Sequence, residues 1–160
     1  MTGRGLVIGV PLALLVVVLD QASKWIVMRD LPAQGVTLIP GFFDLVLVHN
    51  VGAAFSMFAT LAPDTRVWFL CSVAVVAVGA ILYLLPRADS LLYILGLGLV
   101  LGGAVGNLID RVRYGWVVDF IHVHWHELSW PVFNLADSAI TVGVGLLLFD
   151  HLTTSAPADS

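Results

Sequence analysis

Charge is what this sequence has least of. Asp, Glu, Lys and Arg make up only 11% of its 160 residues, and 59% are hydrophobic, whereas charged residues are roughly a quarter of a water-soluble domain. That deficit excludes an ordinary soluble protein, and the chain reads as an integral membrane protein. Lys and Arg together number seven, for a formal net charge of −4. With neither a basic patch nor an acidic tract, nothing points to nucleic acid, and partners should be apolar or membrane-bound. The single cysteine, Cys71, has no counterpart for an intrachain disulfide, so helix packing alone must hold the fold. Internal repeats, an HExxH pair and a GxSxG elbow are also absent.

What is present is apolar length. Runs at about 6–28, 67–85, 91–109 and 132–152 each approach the ~20 residues that span a bilayer as a helix. The first follows Arg4 but continues through Asp20, Gln21 and Lys24 to Trp25 and Ile26, too long for the apolar region of a cleaved secretory signal. Between the runs lie extramembrane segments 30–66 and 110–131. Pro32, Gly35, Pro40 and Gly41 punctuate the former around a β-prone stretch at 42–48, and residues 116–125 of the latter are β-branched and aromatic. The expected architecture is therefore an all-α membrane protein, a single domain over 1–160, with four transmembrane helices and a small β-containing extramembrane region. Gly98, Gly102 and Gly106 recur every four residues, a small-residue stripe for close helix packing.

Against this background the polar residues stand out. Asp119 in GWVVDFI and Asp137 in FNLADSAI are carboxylates among apolar neighbours, a costly placement unless paired, hydrogen-bonded or open to water. Taken alone, either one near a helix end could simply sit among lipid headgroups. Asp20 and Lys24 share a helical face at i, i+4. Asn107 and Arg111 share another, with Asp110 beside them. Asn134 and Asp137, three apart, are placed in the first turns of the last helix. Asn50, in HNVGAAFSMF, would look the same as a solvated loop residue. Four crossings put all of these on one side of the membrane, leaving Arg4, the 86–90 turn and the C-terminal tail on the other. Such one-sidedness favours a shared site. Two carboxylates a few ångströms apart share a proton, one serving as general base on water and the other as acid, which is aspartic-protease chemistry. Asn50, Asn107 and Asn134 could orient the acids or the scissile peptide, and Arg111 with Asp20 could fix a loop.

The set Asp20-Gln21-x-x-Lys24, Asn50-x-Gly52-x-Ala54-Phe55-Ser56, Gly102-Gly103-Ala104-x-Gly106-Asn107-x-x-Asp110-Arg111, Val118-Asp119-Phe120 and Phe133-Asn134-x-Ala136-Asp137 closely resembles lipoprotein signal peptidase, or signal peptidase II. The motifs span most of the chain in the family's order. The resemblance implies a four-helix aspartyl endopeptidase of the bacterial inner membrane, needing no cofactor or metal, that cuts prolipoproteins just before the diacylglyceryl-modified lipobox cysteine. It implies Asp119 and Asp137 as the catalytic pair, with Asp20, Lys24, Asn50, Gly52, Ala54, Asn107, Asp110, Arg111, Asn134 and Ala136 supporting or lining the site. Expected partners are the prolipoprotein substrate and membrane lipid, for a monomeric enzyme with both termini cytoplasmic and its site at the extracytoplasmic face.

The charge count runs against that orientation. Lys24, Arg29, Arg66, Arg111 and Arg113 fall on the site's side and only Arg4 and Arg87 opposite, whereas basic residues favour the cytoplasmic side. Three other readings exist. His122, His124, His126 and Glu127 could hold zinc for a metal-dependent hydrolase; Ser56 or Ser138 with Lys24 could form a serine protease; Asp20, Asp137 and Lys24 could relay protons in a transporter. The missing HExxH and GxSxG patterns, and clustering at one membrane face, weigh against them.

Overall fold

The computed structural model describes residues 3–52 and 62–154. Along the chain come α1 (Arg4–Asp30), β1 (Val36–Ile39), β2 (Phe43–Asn50), α2 (Pro63–Leu84) with a terminal 3-10 turn, α3 (Leu91–Tyr114), β3 (Val117–Trp125), β4 (Leu128–Ser129) and α4 (Leu135–Thr154). Among the described residues four helices are long and apolar enough to cross a bilayer. Large apolar side chains such as Val7, Leu14, Val18, Trp68, Val76, Leu148 and Leu152 point outward, a surface that suits lipid rather than water.

Three helix boundaries differ from the hydropathy reading by more than two residues, each for a local reason. α2 starts at residue 63 instead of 67, because Pro63 occupies a first-turn position and Asp64 complements the helix N-terminus. The polar first turn hid it from an apolar count. α3 runs to Tyr114 instead of 109 and stops at Gly115, whose φ of 79° is the left-handed turn that caps helices. Asp110 and Arg111 are therefore helical. α4 begins at Leu135 instead of 132, since Phe133 is extended and paired to Ile121 of β3.

α3 is the central helix. A Cβ on Gly98, Gly102 or Gly106 would lie 3.0 Å from the Gly9 carbonyl, 2.6 Å from Val16 Cβ and 2.6 Å from Asp20 Oδ2 respectively. The expected stripe thus packs on α1, and because both numberings rise together the two helices run parallel. On its other side, a Cβ on Gly103 would run into the Ala136 carbonyl, and one on Gly96 would lie 2.9 Å from the Gly143 carbonyl, so α4 is antiparallel to α3. Ala13, Ile81, Leu85, Ile94, Leu97 and Leu101 fill the end far from the sheet.

The strands pair antiparallel in the order β1-β2-β3-β4. In β2, Val46 and Leu47 together oppose one residue of β3, since Leu45 pairs with Ile121 and Val48 with Asp119. This bulge reverses the facing of everything after it. Asp44 and Asn50, both even-numbered, would otherwise share a face; here Asp44 lies with His122 and Asn50 with Asp119.

Candidate active site

The site is built over a buried ion cluster. Lys24, Asp20 and Asp110 are each no more than 1% exposed. The Lys24 ammonium lies 2.9 Å from Asp20 Oδ2 and 2.8 Å from Asp110 Oδ2, and donates to Asn107 Oδ1 at 3.1 Å. Three acceptors thus match its three N–H bonds. Gln21, reaching across from α1, donates to Asp110 Oδ1 at 2.8 Å and to the Gly106 carbonyl at 3.2 Å. Buried charges persist only when so paired. The pair at i, i+4 is therefore an interior element of the fold, shielded from solvent by protein on all sides.

Each carboxylate of this cluster then holds a neighbouring element. Asp20 Oδ1 accepts the Ala136 backbone N–H at 3.0 Å, one residue before Asp137. Asp110 Oδ2 accepts the Val118 N–H at 3.1 Å, one residue before Asp119. Asp20 thus fixes the first turn of α4 instead of tying a loop to Arg111. Arg111 donates to the carbonyls of Gly52 at 3.2 Å and Asn107 at 3.3 Å, tethering the chain just beyond β2.

Asn134 joins the two candidate acids. It precedes α4 at the N-cap position, so it is not in the first turn as its spacing suggested, and its side-chain oxygen accepts the Asp137 N–H at 2.9 Å while Asp137 Oδ2 accepts the Asn134 N–H at 3.2 Å. That reciprocal pattern is a capping box. The Asn134 amide nitrogen meanwhile lies 2.7 Å from Asp119 Oδ1 and 3.1 Å from Asn107 Oδ1. The Phe133 backbone, bonded to Phe120 and Ile121 at 2.8–3.0 Å, brings it there. Asp137 Oδ1 accepts from the Asn107 amide at 2.8 Å, and Asp119 Oδ2 from the Asn50 amide at 2.9 Å. Asn50 is no solvated loop residue, since its oxygen also accepts the Gly52 N–H at 3.0 Å.

The two acids differ in exposure, Asp119 being 1% exposed and Asp137 half-buried. Burial pushes the Asp119 pKa up to about 6; the Asn50 hydrogen bond opposes the rise and the nearby Asp137 charge adds to it. At neutral pH such a carboxyl is poised to gain or lose a proton.

Asp20, Lys24, Asn50, Gly52, Asn107, Asp110, Arg111, Asp119, Asn134, Ala136 and Asp137 thus lie in one bonded network; Ala54, like Ser56, falls outside the described residues. Gln21 stands in the first motif of the sequence but has no role assigned there; the structure makes it part of the network, and an isolated amide within an apolar run is the signal for it. Of the residues in the alternative zinc reading, His122 and His124 converge on Asp44, while His126 and Glu127 turn the exposed β3–β4 hairpin.

A membrane-embedded bundle carrying two amide-bridged carboxylates over a buried ammonium defines a class, the membrane aspartyl proteases. The family model described as Signal peptidase (SPase) II matches residues 12–153, and the chain belongs to that family of proteases. It is 47% identical over 148 residues to the lipoprotein signal peptidase of Symbiobacterium thermophilum, covering 91% of this chain and 93% of that protein. To the lipoprotein signal peptidase of Syntrophotalea carbinolica it is 47% identical over 138 residues, 86% of either chain. A solved structure described as a bacterial membrane enzyme determined by the in meso method at 2.3 Å superposes with a TM-score of 0.84 at 29% identity, covering 95% of this chain and 92% of that one.

Proposed function

We propose that Asp119 and Asp137 are the catalytic pair with which this signal peptidase II family member removes signal peptides from prolipoproteins. The observation carrying the assignment is Asn134, which donates its side-chain amide to Asp119 and its backbone N–H to Asp137, holding both acids to one short segment. Asp119 starts protonated in an appreciable fraction of molecules because its pKa is raised to about 6, and Asp137, facing the open side, takes the proton of the attacking water. Asp119 then donates to the carbonyl oxygen of the scissile peptide as the tetrahedral intermediate forms. Collapse returns that proton through the pair to the leaving nitrogen. Asn50 and Asn134 orient Asp119, while Asn107 orients Asp137; Lys24, Asp20 and Asp110 act by positioning.

The bond cut precedes a diacylglyceryl-modified cysteine, a substrate suited to a site at a lipid boundary. At about 1.5 Å rise per residue, Lys24 lies only ~9 Å from the end of α1 at Asp30. The site faces the extracytoplasmic side, with both termini cytoplasmic. Two of the five basic residues counted against this orientation serve the site itself: Lys24 is buried and Arg111 holds backbone carbonyls. They do not report topology.

Incubating purified protein in detergent with a diacylglyceryl-modified prolipoprotein and with its unmodified precursor tests the reaction and substrate class together. Cleavage of the modified form alone is expected; equal cleavage of both removes the lipid requirement. A reporter placed in the 86–90 turn or after Ser160 should read cytoplasmic, and an extracytoplasmic reading of both inverts the topology.

A further inference from the structure

The sheet carries a second polar cluster on the face turned away from Asp119. His122 and His124 are two apart on β3 and so project from the same face, the one opposite to residue 119. Asp44 of β2 is the cross-strand partner of His122. Asp44 Oδ2 lies 2.8 Å from His124 Nε2 and 3.7 Å from His122 Nδ1, and the two imidazoles stack with centroids 4.9 Å apart. All three groups are half-buried, with one ligand atom from each within 4.8 Å of the others.

We propose that Asp44, His122 and His124 bind one late first-row divalent cation, of which zinc is the type. Two imidazoles and a carboxylate are the donors such ions select, with the remaining positions left to water. The spacing fits: metal–ligand bonds of 2.0–2.1 Å in tetrahedral geometry separate ligand atoms by about 3.3 Å, and the observed 2.8 and 3.7 Å lie on either side of that value.

Neighbouring strands supply the outer support that metal ligands need. The Ser129 hydroxyl of β4 lies 2.8 Å from His122 Nε2, engaging that nitrogen and leaving Nδ1 turned to Asp44. The Thr37 side chain of β1 hydrogen-bonds Asp44 and so fixes the orientation of its carboxylate. All four strands thus contribute one or more groups. A cation there would clamp β2 to β3 on the sheet face opposite Asp119, with no part in activating water. This site is independent of the catalytic assignment above.

The test uses tag-free, metal-stripped full-length protein in detergent, titrated calorimetrically with zinc and spectroscopically with cobalt(II). One equivalent should bind saturably, with cobalt giving the visible absorption of a low-coordinate nitrogen and oxygen site. His124→Ala and Asp44→Asn should each weaken binding ~10-fold or more, whereas His126→Ala, His151→Ala and Asp137→Asn should leave it unchanged. Retained prolipoprotein cleavage by His124→Ala and His122→Gln shows that they have folded. Absence of saturable binding by the parent protein overturns the proposal, as does undiminished binding by the His122→Gln, His124→Gln double variant.

Discussion

Two carboxylates, Asp119 and Asp44, sit on opposite faces of the same β2–β3 ladder and are each partnered by side chains from that ladder. Their settings differ in what stands behind them. Asp119 is backed by α1, α3 and α4 and meets amide donors from Asn50 and Asn134; burial there raises its pKa to about 6. Asp44 faces outward and its partners are a hydroxyl and two imidazoles, which hold its carboxyl low. One ladder thus presents a buried carboxyl with a raised pKa on its inner face and a carboxyl with a lowered pKa on its outer face. The bulge at Val46–Leu47 makes this possible by carrying Asn50 to the inner side while Asp44 stays outside.

The most damaging way to erase the inner setting is to remove its proton chemistry. Asp119→Asn and Asp137→Asn should each lower prolipoprotein cleavage by ~1,000-fold or more, the scale of lost general acid–base catalysis, with little change in folded yield. The double variant should be scarcely worse than either single one, because the acids act as a unit. Substantial cleavage by one of the single variants removes that residue from the mechanism.

Next in size is the foundation that only the inner face possesses. Lys24→Met strands Asp20 and Asp110 as buried carboxylates without their cation, which should cost about 3–5 kcal/mol of stability. Thermal unfolding in detergent reads this directly; an unshifted transition shows that the cluster contributes nothing.

A subtler change moves the inner acid towards an even higher pKa. With Asp119 as proton donor, the kcat/KM of the parent should fall as pH rises through about 6, where the free enzyme loses that proton. The Asn50 hydrogen bond favours the ionised form, so Asn50→Ala should shift the fall to higher pH while reducing the maximum ~10-fold, the worth of one hydrogen bond to a charge. A fall that stays in place or moves to lower pH contradicts the role given to Asn50.

The smallest effect belongs to the outer face. His122→Ala and His124→Ala should leave cleavage within about twofold of the parent, as surface substitutions away from a site do, and a chelator should not stop the reaction. Loss of cleavage on chelation, restored by zinc, makes the outer cluster part of the catalytic apparatus and dissolves the distinction between the two faces.

Composition and hydropathy by themselves determined the membrane class, the four helices and the side on which the polar residues gather, because a lipid solvent penalises every unsatisfied polar group and leaves a long apolar run few alternatives. The Gly98, Gly102 and Gly106 spacing likewise announced a close helix contact, and the motifs singled out Asp119 and Asp137 as candidates. Boundaries were less legible: the polar ends of α2 and α3 contribute no apolar signal, and the start of α4 depends on Phe133 pairing with Ile121 of the preceding strand. Only the tertiary structure decided what Asp20 and Asp110 grip, namely the Ala136 and Val118 amides next to the two acids. Only it decided that Asn50 and Asp44 part company across a bulge, and that Gln21 reaches from α1 to α3. Each of these rests on backbone groups or registers brought together from distant parts of the chain, and a sequence records which side chains are present without recording which backbone amide will stand opposite them.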